Sequence, residues 1–205
     1  MHATRILVSA GLAASLVLGV AFIRPATVDS HNKEAAAQAA TWTVDPVHSS
    51  ITFRIKHAGA SWSVGRFNSF SGTVRHDAAA PEKSSVEFTV ATDSVDTAMP
   101  DRDKHLKSAD FFDATQFPKA TFTSKSVAKK GNLLAVTGDF ALHGVTKSVT
   151  VEMELVGTGK GPQGDERAGF SGKLVIQRSD FGIKTYPGML GEDVTLFIDV
   201  ETVKK

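Results

Sequence analysis

Seven histidines, at positions 2, 31, 48, 57, 76, 105 and 143, are the residues of this chain best suited to hold a metal or move a proton. No two of them stand at a ligand spacing such as His-x-x-x-His, and there is no cysteine to supply a thiolate. The expectation is no metal and no cofactor, with the histidines as surface or turn residues. Serines are common, but no Gly-x-Ser-x-Gly elbow presents one as a nucleophile. Asp180-Phe181-Gly182 spells the kinase tripeptide, yet the other kinase motifs are missing, as are Gly-x-Gly-x-x-Gly and the phosphate-binding loop. Carboxylates fall at outward positions or in turns, without a matched acid and base. These residues point to a protein that is not an enzyme.

Two polar residues stand out because they continue apolar rows. Arg178 lies two past Ile176, and His57 two past Ile55. Alternate residues of a strand share a face, so both should point inward. A cation buried alone is costly and needs a partner. Two readings stay open, and both can hold together. One is an ion pair, with Asp103 or Asp110 as partner. The other is recognition of a polar head group at the mouth of a pocket.

The elements that would position them are strands. Period-two alternation runs through Ile51, Phe53 and Ile55, then Phe70, Gly72 and Val74, then Val86, Phe88 and Val90, then Ala120 and Phe122. It continues through Leu134, Val136, Gly138, Phe140 and Leu142, then Val149, Val151, Met153 and Leu155. Phe170, Gly172, Leu174 and Ile176, then Val194, Leu196, Ile198 and Val200, complete eight strands, with a weaker opening one at Thr41–Val44. Turn signals separate them at Ala80-Pro81, Lys130-Gly131-Asn132, His143-Gly144 and the Gly157–Asp165 loop. Short links imply antiparallel neighbours, and such strands bury one face in a closed barrel or a two-sheet sandwich. Ala58–Arg66, with Trp62, reads as a link between the first two long strands. Asp101–Phe112 reads as a helix that could cover a barrel mouth, with Asp101 or Asp103 near its start to complement the free N–H groups.

Composition agrees with a soluble domain of ordinary size. The chain has 205 residues, 41% hydrophobic and 22% charged, with 13 Phe against 2 Trp and 1 Tyr. Phe adds apolar area without a polar group to satisfy, which suits a core or a greasy pocket. Net charge is +1, and residues 41–205 are balanced by count. That excludes the basic footprint of a nucleic-acid binder. Residues 1–25 carry a charged start, then Ile6–Ile23 without charge, then Arg24-Pro25. This is the pattern of an export signal or an uncleaved membrane anchor. Residues 26–40 are Ala-rich and polar, a linker to a domain spanning 41–205.

A set of segments in order carries a resemblance. It runs from Trp42-Thr43-Val44-Asp45-Pro46-Val47-His48-Ser49-Ser50-Ile51-Thr52-Phe53 through Gly65-Arg66-Phe67 with Phe70-Ser71-Gly72. Ser94-Val95-Asp96-Thr97, Arg102-Asp103-Lys104-His105-Leu106, Asp110-Phe111-Phe112-Asp113 and Phe117-Pro118 follow, then Phe122-Thr123-Ser124. Gly138-Asp139-Phe140, His143-Gly144-Val145-Thr146-Lys147 and Arg178-Ser179-Asp180-Phe181-Gly182-Ile183 complete it. Together they resemble the YceI-like family of bacterial lipid-binding proteins. The resemblance implies an all-β fold, an antiparallel lipocalin-like barrel with a short helix near its mouth and a long internal cavity. It also implies a long-chain lipid ligand such as a polyisoprenoid, an isoprenoid quinone, a polyprenyl phosphate or a fatty-acid amide. A periplasmic or secreted location and a homodimer follow; association with a membrane, peripheral or through an apolar N-terminal segment that is kept as an anchor, is a separate expectation.

Strand parity supplies the expected pocket. Its apolar wall would be Phe53, Ile55, Phe70, Val74, Phe88, Val90, Phe122, Phe140, Leu142, Val151, Phe170, Leu174, Ile176 and Leu196, with Leu106 of the helix. His57, Arg102, His105 and Arg178 are the head-group candidates. Gly72, Gly138 and Gly172 interrupt the inward rows. Each either makes room inside or relieves strand bending. The alternatives to a lipid carrier or scavenger are a solidly packed structural or partner-binding barrel, and an enzyme acting on an isoprenoid.

Overall fold

The computed structural model describes residues 40–77 and 79–205. The expected signal or anchor at 1–25, and the linker up to residue 39, lie outside the described residues. Among the described residues no helix is long and apolar enough to cross a membrane.

The strands are β1 (Ala40–His57), β2 (Ser61–Phe67), β3 (Phe70–His76), β4 (Ser85–Ala91), β5 (Val95–Asp96), β6 (Lys119–Lys130), β7 (Leu133–Leu142), β8 (Val145–Lys160), β9 (Glu166–Gln177) and β10 (Leu190–Lys204). Among the described residues a single α-helix, α1 (Pro100–Leu106), follows β5. The sheet runs β10-β9-β8-β7-β6-β4-β3-β1, and β10 pairs back onto β1 to close an eight-stranded antiparallel barrel. Closure removes the sheet edges that strands of this length would otherwise expose.

The ring does not close uniformly along its length. The first part of β1 pairs with β3, from Ala40↔His76 to Thr43↔Thr73. The second part pairs with β2 instead, from Ile51↔Phe67 to His57↔Ser61. β5 then pairs with β2, and α1 follows it. A bulge between Asp45 and Ser50 in the β1–β10 ladder lets one long strand serve both ends. The opening strand expected at Thr41–Val44 is thus the first part of β1.

Three boundaries differ from the sequence expectation. Ala58–Arg66 is not a link but a hairpin turn and most of β2. Ala58 (φ +49°) and Gly59 (φ +67°) both take the left-handed backbone at the centre of the turn that the Ala60 amide closes by donating to His57 O at 3.0 Å. The pattern hides β2 because its inward positions hold Ser63 and Gly65 while Trp62 and Val64 are exposed. The helix ends at Leu106, not Phe112. Pro100 starts it, and the Ser108 hydroxyl donates back to the His105 carbonyl at 2.7 Å, turning the chain away from the helical path. β8 and β9 extend further than expected, and their loop is confined to residues 161–165.

The inward rows meet in one continuous interior. At one end Trp42, Val44, Ile51, Phe53, Phe67 and Phe170 pack together, and at the other Phe111, Leu142, Leu174, Ile176, Phe181 and Ile183. The glycines of the inward rows are covered by large neighbours. Phe88 lies over Gly72, Phe122 against Gly138, Met153 over Gly172 and Phe53 over Gly65. A methyl group on Gly72 would come within 2.5 Å of the Phe88 ring. The glycines therefore leave no holes. They let cross-strand side chains lie flat along the wall instead of standing into the lumen.

Candidate functional site

The interior is not filled. A cavity of about 440 Å³ occupies the end of the barrel beside α1. A second of about 130 Å³ continues toward the start of β1. Ile51, Val90, Ala120, Phe140 and Leu196 line both, so the two are successive parts of one apolar channel.

The structure places the expected wall residues as follows. Phe53, Ile55, Leu106, Leu142 and Ile176 line the larger cavity. Val74, Phe88, Phe122, Val151, Phe170 and Leu174 line the smaller one, and Val90, Phe140 and Leu196 line both. Phe70 is the exception: it lines neither. Its ring stacks on Phe88 with centroids 5.9 Å apart and planes 19° from parallel, so Phe88 stands between it and the lumen.

Three segments frame the opening, and each is tied to the next. The β1–β2 turn brings His57, Ser63 and Val64. α1 brings Arg102, His105 and Leu106, with Phe111 and Phe112 just beyond it. The loop before β10 brings Tyr186 and Met189. The Ala58 amide donates to the Met189 carbonyl at 2.7 Å, and the Thr185 hydroxyl donates to the Asp110 carbonyl at 2.6 Å. The His105 ring meets Phe111 and Tyr186 edge-on, at 5.0 and 6.0 Å between centroids. Phe111, Phe112, Tyr186 and Met189 were not among the expected pocket residues. They lie in irregular segments, where the period-two signal that exposed the strands is absent.

The polar candidates are held by the protein itself. Arg178 is 3% exposed, in a 3₁₀ turn at the end of β9. Its Nε donates to Gly191 O at 2.9 Å, and Nη1 to Ile183 O and Thr185 O at 3.1 and 2.7 Å. Nη2 donates to Leu190 O at 3.3 Å and to the Glu192 carboxylate at 3.2 Å. The ion-pair partner is thus Glu192, not Asp103 or Asp110, and all five N–H donors are used. Glu192 follows the Leu190-Gly191 segment that Arg178 binds, whereas Asp103 and Asp110 serve α1. The Asp103 carboxylate accepts from the Thr97 amide at 2.8 Å and from its hydroxyl at 2.5 Å. Arg102 is also anchored on Thr97, with Nε donating to its hydroxyl at 2.7 Å and Nη2 to its carbonyl at 2.8 Å. His105 Nε2 lies 2.8 Å from an oxygen of Asp110. His57 is exposed at the turn.

His76 differs from the surface or turn role expected of it. It lines the smaller cavity, with its ring edge-on to Phe170 at 5.8 Å. Burial pushes its pKa below the ordinary imidazole value, opposed by the charge of Asp77. At the end of the wall where β1 begins, Asp45, His48 and Glu201 stand close enough to share a cation. Arg167 supplies that charge: Nη1 donates to Asp45 at 3.0 Å and to Glu201, and Nε to Asp165 at 2.7 Å. The Arg167 pKa is raised, chiefly by hydrogen bonding to Glu201. Hydrogen bonding from His48 is the main reason that Asp45 lies below the usual carboxylate range.

Comparison with known proteins bears on this geometry. Residues 42–202 match the family model described as the YceI-like domain. Protein YceI of Shigella flexneri is 46% identical over 172 residues, covering 83% of this chain and 90% of that protein. The crystal structure of Burkholderia cenocepacia BcnA superposes with a TM-score of 0.72 at 27% identity, over 77% of this chain and 98% of that one. A polyisoprenoid binding domain from Saccharophagus degradans shares the fold, with a TM-score of 0.61 at 16% identity, over 82% and 99% of the two chains. By its sequence from Trp42 to Thr202 and by the closed barrel that these residues build, this chain belongs to the YceI-like family.

Proposed function

We propose that this protein binds one long-chain apolar lipid inside its barrel, as a non-catalytic carrier or scavenger working outside the cytoplasm. The observation that carries this reading is the apolar interior space, a cavity of about 440 Å³ adjoining one of about 130 Å³. Burying each CH₂ there contributes roughly 0.8 kcal/mol. A chain of about a dozen buried carbons then gains several kcal/mol after the losses of immobilisation. The naming of a structural neighbour as a polyisoprenoid binding domain supports a polyisoprenoid or isoprenoid quinone as ligand. A fatty-acid amide fits the same walls. The polar end lies at the opening, where Arg178 has no free donor to offer it and Arg102, held on Thr97 by two of its five N–H groups, keeps the other three. The apolar N-terminal segment fits an exported protein.

Titration with a fluorescent polyprenyl alcohol tests this. The wild-type chain should bind it saturably at one site, and Phe140→Asp, which puts a carboxylate where the two cavities meet, should abolish binding. Saturable binding that is unchanged in a folded Phe140→Asp protein would place the ligand elsewhere and overturn the reading.

A further inference from the structure

The residues around the opening are unlike those of an ordinary wetted rim. Val64 is 57% exposed, Tyr186 48% and Met189 52%, and all three border the larger cavity. They come from two segments far apart in sequence, joined by the hydrogen bond from Ala58 to Met189. Beside them on β2, Trp62 is 48% exposed. Two cations lie over its ring, Arg54 with its guanidinium carbon 4.6 Å from the centroid and Lys56 with its ammonium 4.7 Å away. Of the acidic groups near the opening, Asp110 is matched by His105 and Glu192 by Arg178, while Asp101 stands on α1, away from β2. Among the described residues neither Arg54 nor Lys56 forms an ion pair with a carboxylate.

We infer that this rim is a docking surface for an anionic phospholipid bilayer. Exposed aliphatic side chains beside an amphipathic Trp and unpaired cations are the combination that seats a protein at the boundary between head groups and acyl chains. The cations meet the negative surface while the apolar tips enter it. A second copy of this chain fits less well, because a stable dimer face would cover the opening through which the ligand must pass. The inference rests on the lipid-binding reading, since docking at the mouth lets a long chain pass between bilayer and barrel without crossing water.

The chain contains two tryptophans, Trp62 at the rim and Trp42, which is 8% exposed within the core. Vesicles of phosphatidylglycerol with brominated acyl chains therefore report on the rim even if the N-terminal segment also binds them. With the full chain, Trp62 emission should shift to the blue and lose most of its intensity on these vesicles. Trp62→Phe should leave only unquenched Trp42 emission. Lys56→Glu should restore most of the Trp62 emission while leaving affinity for a polyprenyl probe unchanged. The inference is overturned if Trp62 stays unquenched on vesicles that carry the protein. It is also overturned if Trp62 becomes shielded with rising protein concentration in the absence of lipid, which would mark a second copy. Probe binding without docking would sink this inference alone, whereas docking without probe binding would sink the carrier reading instead.

Discussion

The Arg178 guanidinium lies 3.2 Å from the Glu192 carboxylate and closes the base of the loop between β9 and β10. Four backbone carbonyls, of Ile183, Thr185, Leu190 and Gly191, take its remaining donors. The cation at the edge of the larger cavity thus holds the Tyr186–Met189 lip in place. Arg178→Leu should destabilise the protein by several kcal/mol, because four backbone carbonyls lose their donor at about 1 kcal/mol or more each, while the half-exposed Glu192 regains water. In urea unfolding this appears as a lower midpoint. Affinity for polyprenyl phosphate and for polyprenyl alcohol should fall by the same factor. A selective loss of the phosphate would show that Arg178 contacts a head group.

The joint between the two cavities should set the accepted chain length. Ala120 borders both and is itself buried. Ala120→Phe should block entry to the inner cavity, weakening long polyprenols while sparing short ones that fit the outer part alone. Affinities measured over a homologous series check this. An equal loss across the series would mean that the substitution disturbs the whole barrel.

Gly138 has no space for a side chain, since a methyl group there would meet the Phe122 ring tip at 2.7 Å and the Ser124 backbone at 2.8 Å. Gly138→Val should therefore cost about 1–3 kcal/mol through overpacking. It should also push Phe122 into the lumen and lower lipid stoichiometry. Chemical denaturation and probe titration measure the two effects separately.

Much of the barrel can be read from sequence, because inward positions on β4, β7, β9 and β10 are apolar and their outward neighbours polar. β2 escapes for the opposite reason. Its inward face has only Phe67 as a large residue after Ser63 and Gly65, kept small where Phe53 lies over Gly65, and its outward face carries Trp62 and Val64. The inward parity of Arg178 is visible from Ile176, but its partner is not, because Glu192 is brought there by a loop with no regular period. Phe70 shows the limit of parity. It occupies an inward register position opposite Val90, yet Phe88 covers it. The lip residues Tyr186 and Met189 belong to a segment whose course depends on the hydrogen bonds of Arg178 and Thr185.

Stability should depend on pH through His76. Its folded-state pKa lies below the ordinary value of 6.5, so the unfolded chain takes up a proton first as pH falls. The stability associated with neutral His76 is present above pH 6.5 and is lost progressively below it. Asp45, whose pKa is also lowered, acts in a more acidic window, contributing stability above the usual carboxylate range and losing it as pH falls through the folded value. His76→Phe should flatten the melting temperature between pH 7.5 and 5.5 in scanning calorimetry, about one unit either side of that midpoint. An unchanged slope would place the pH dependence elsewhere.

The claim that the barrel holds a lipid is tested most directly by extracting the purified protein into organic solvent and weighing what comes out by mass spectrometry. The account predicts one long-chain lipid, in near-stoichiometric amount, released from the wild-type chain and absent from Phe140→Asp. A clean extract, from a protein that also takes up no polyprenyl probe, would contradict it and leave the channel without a ligand.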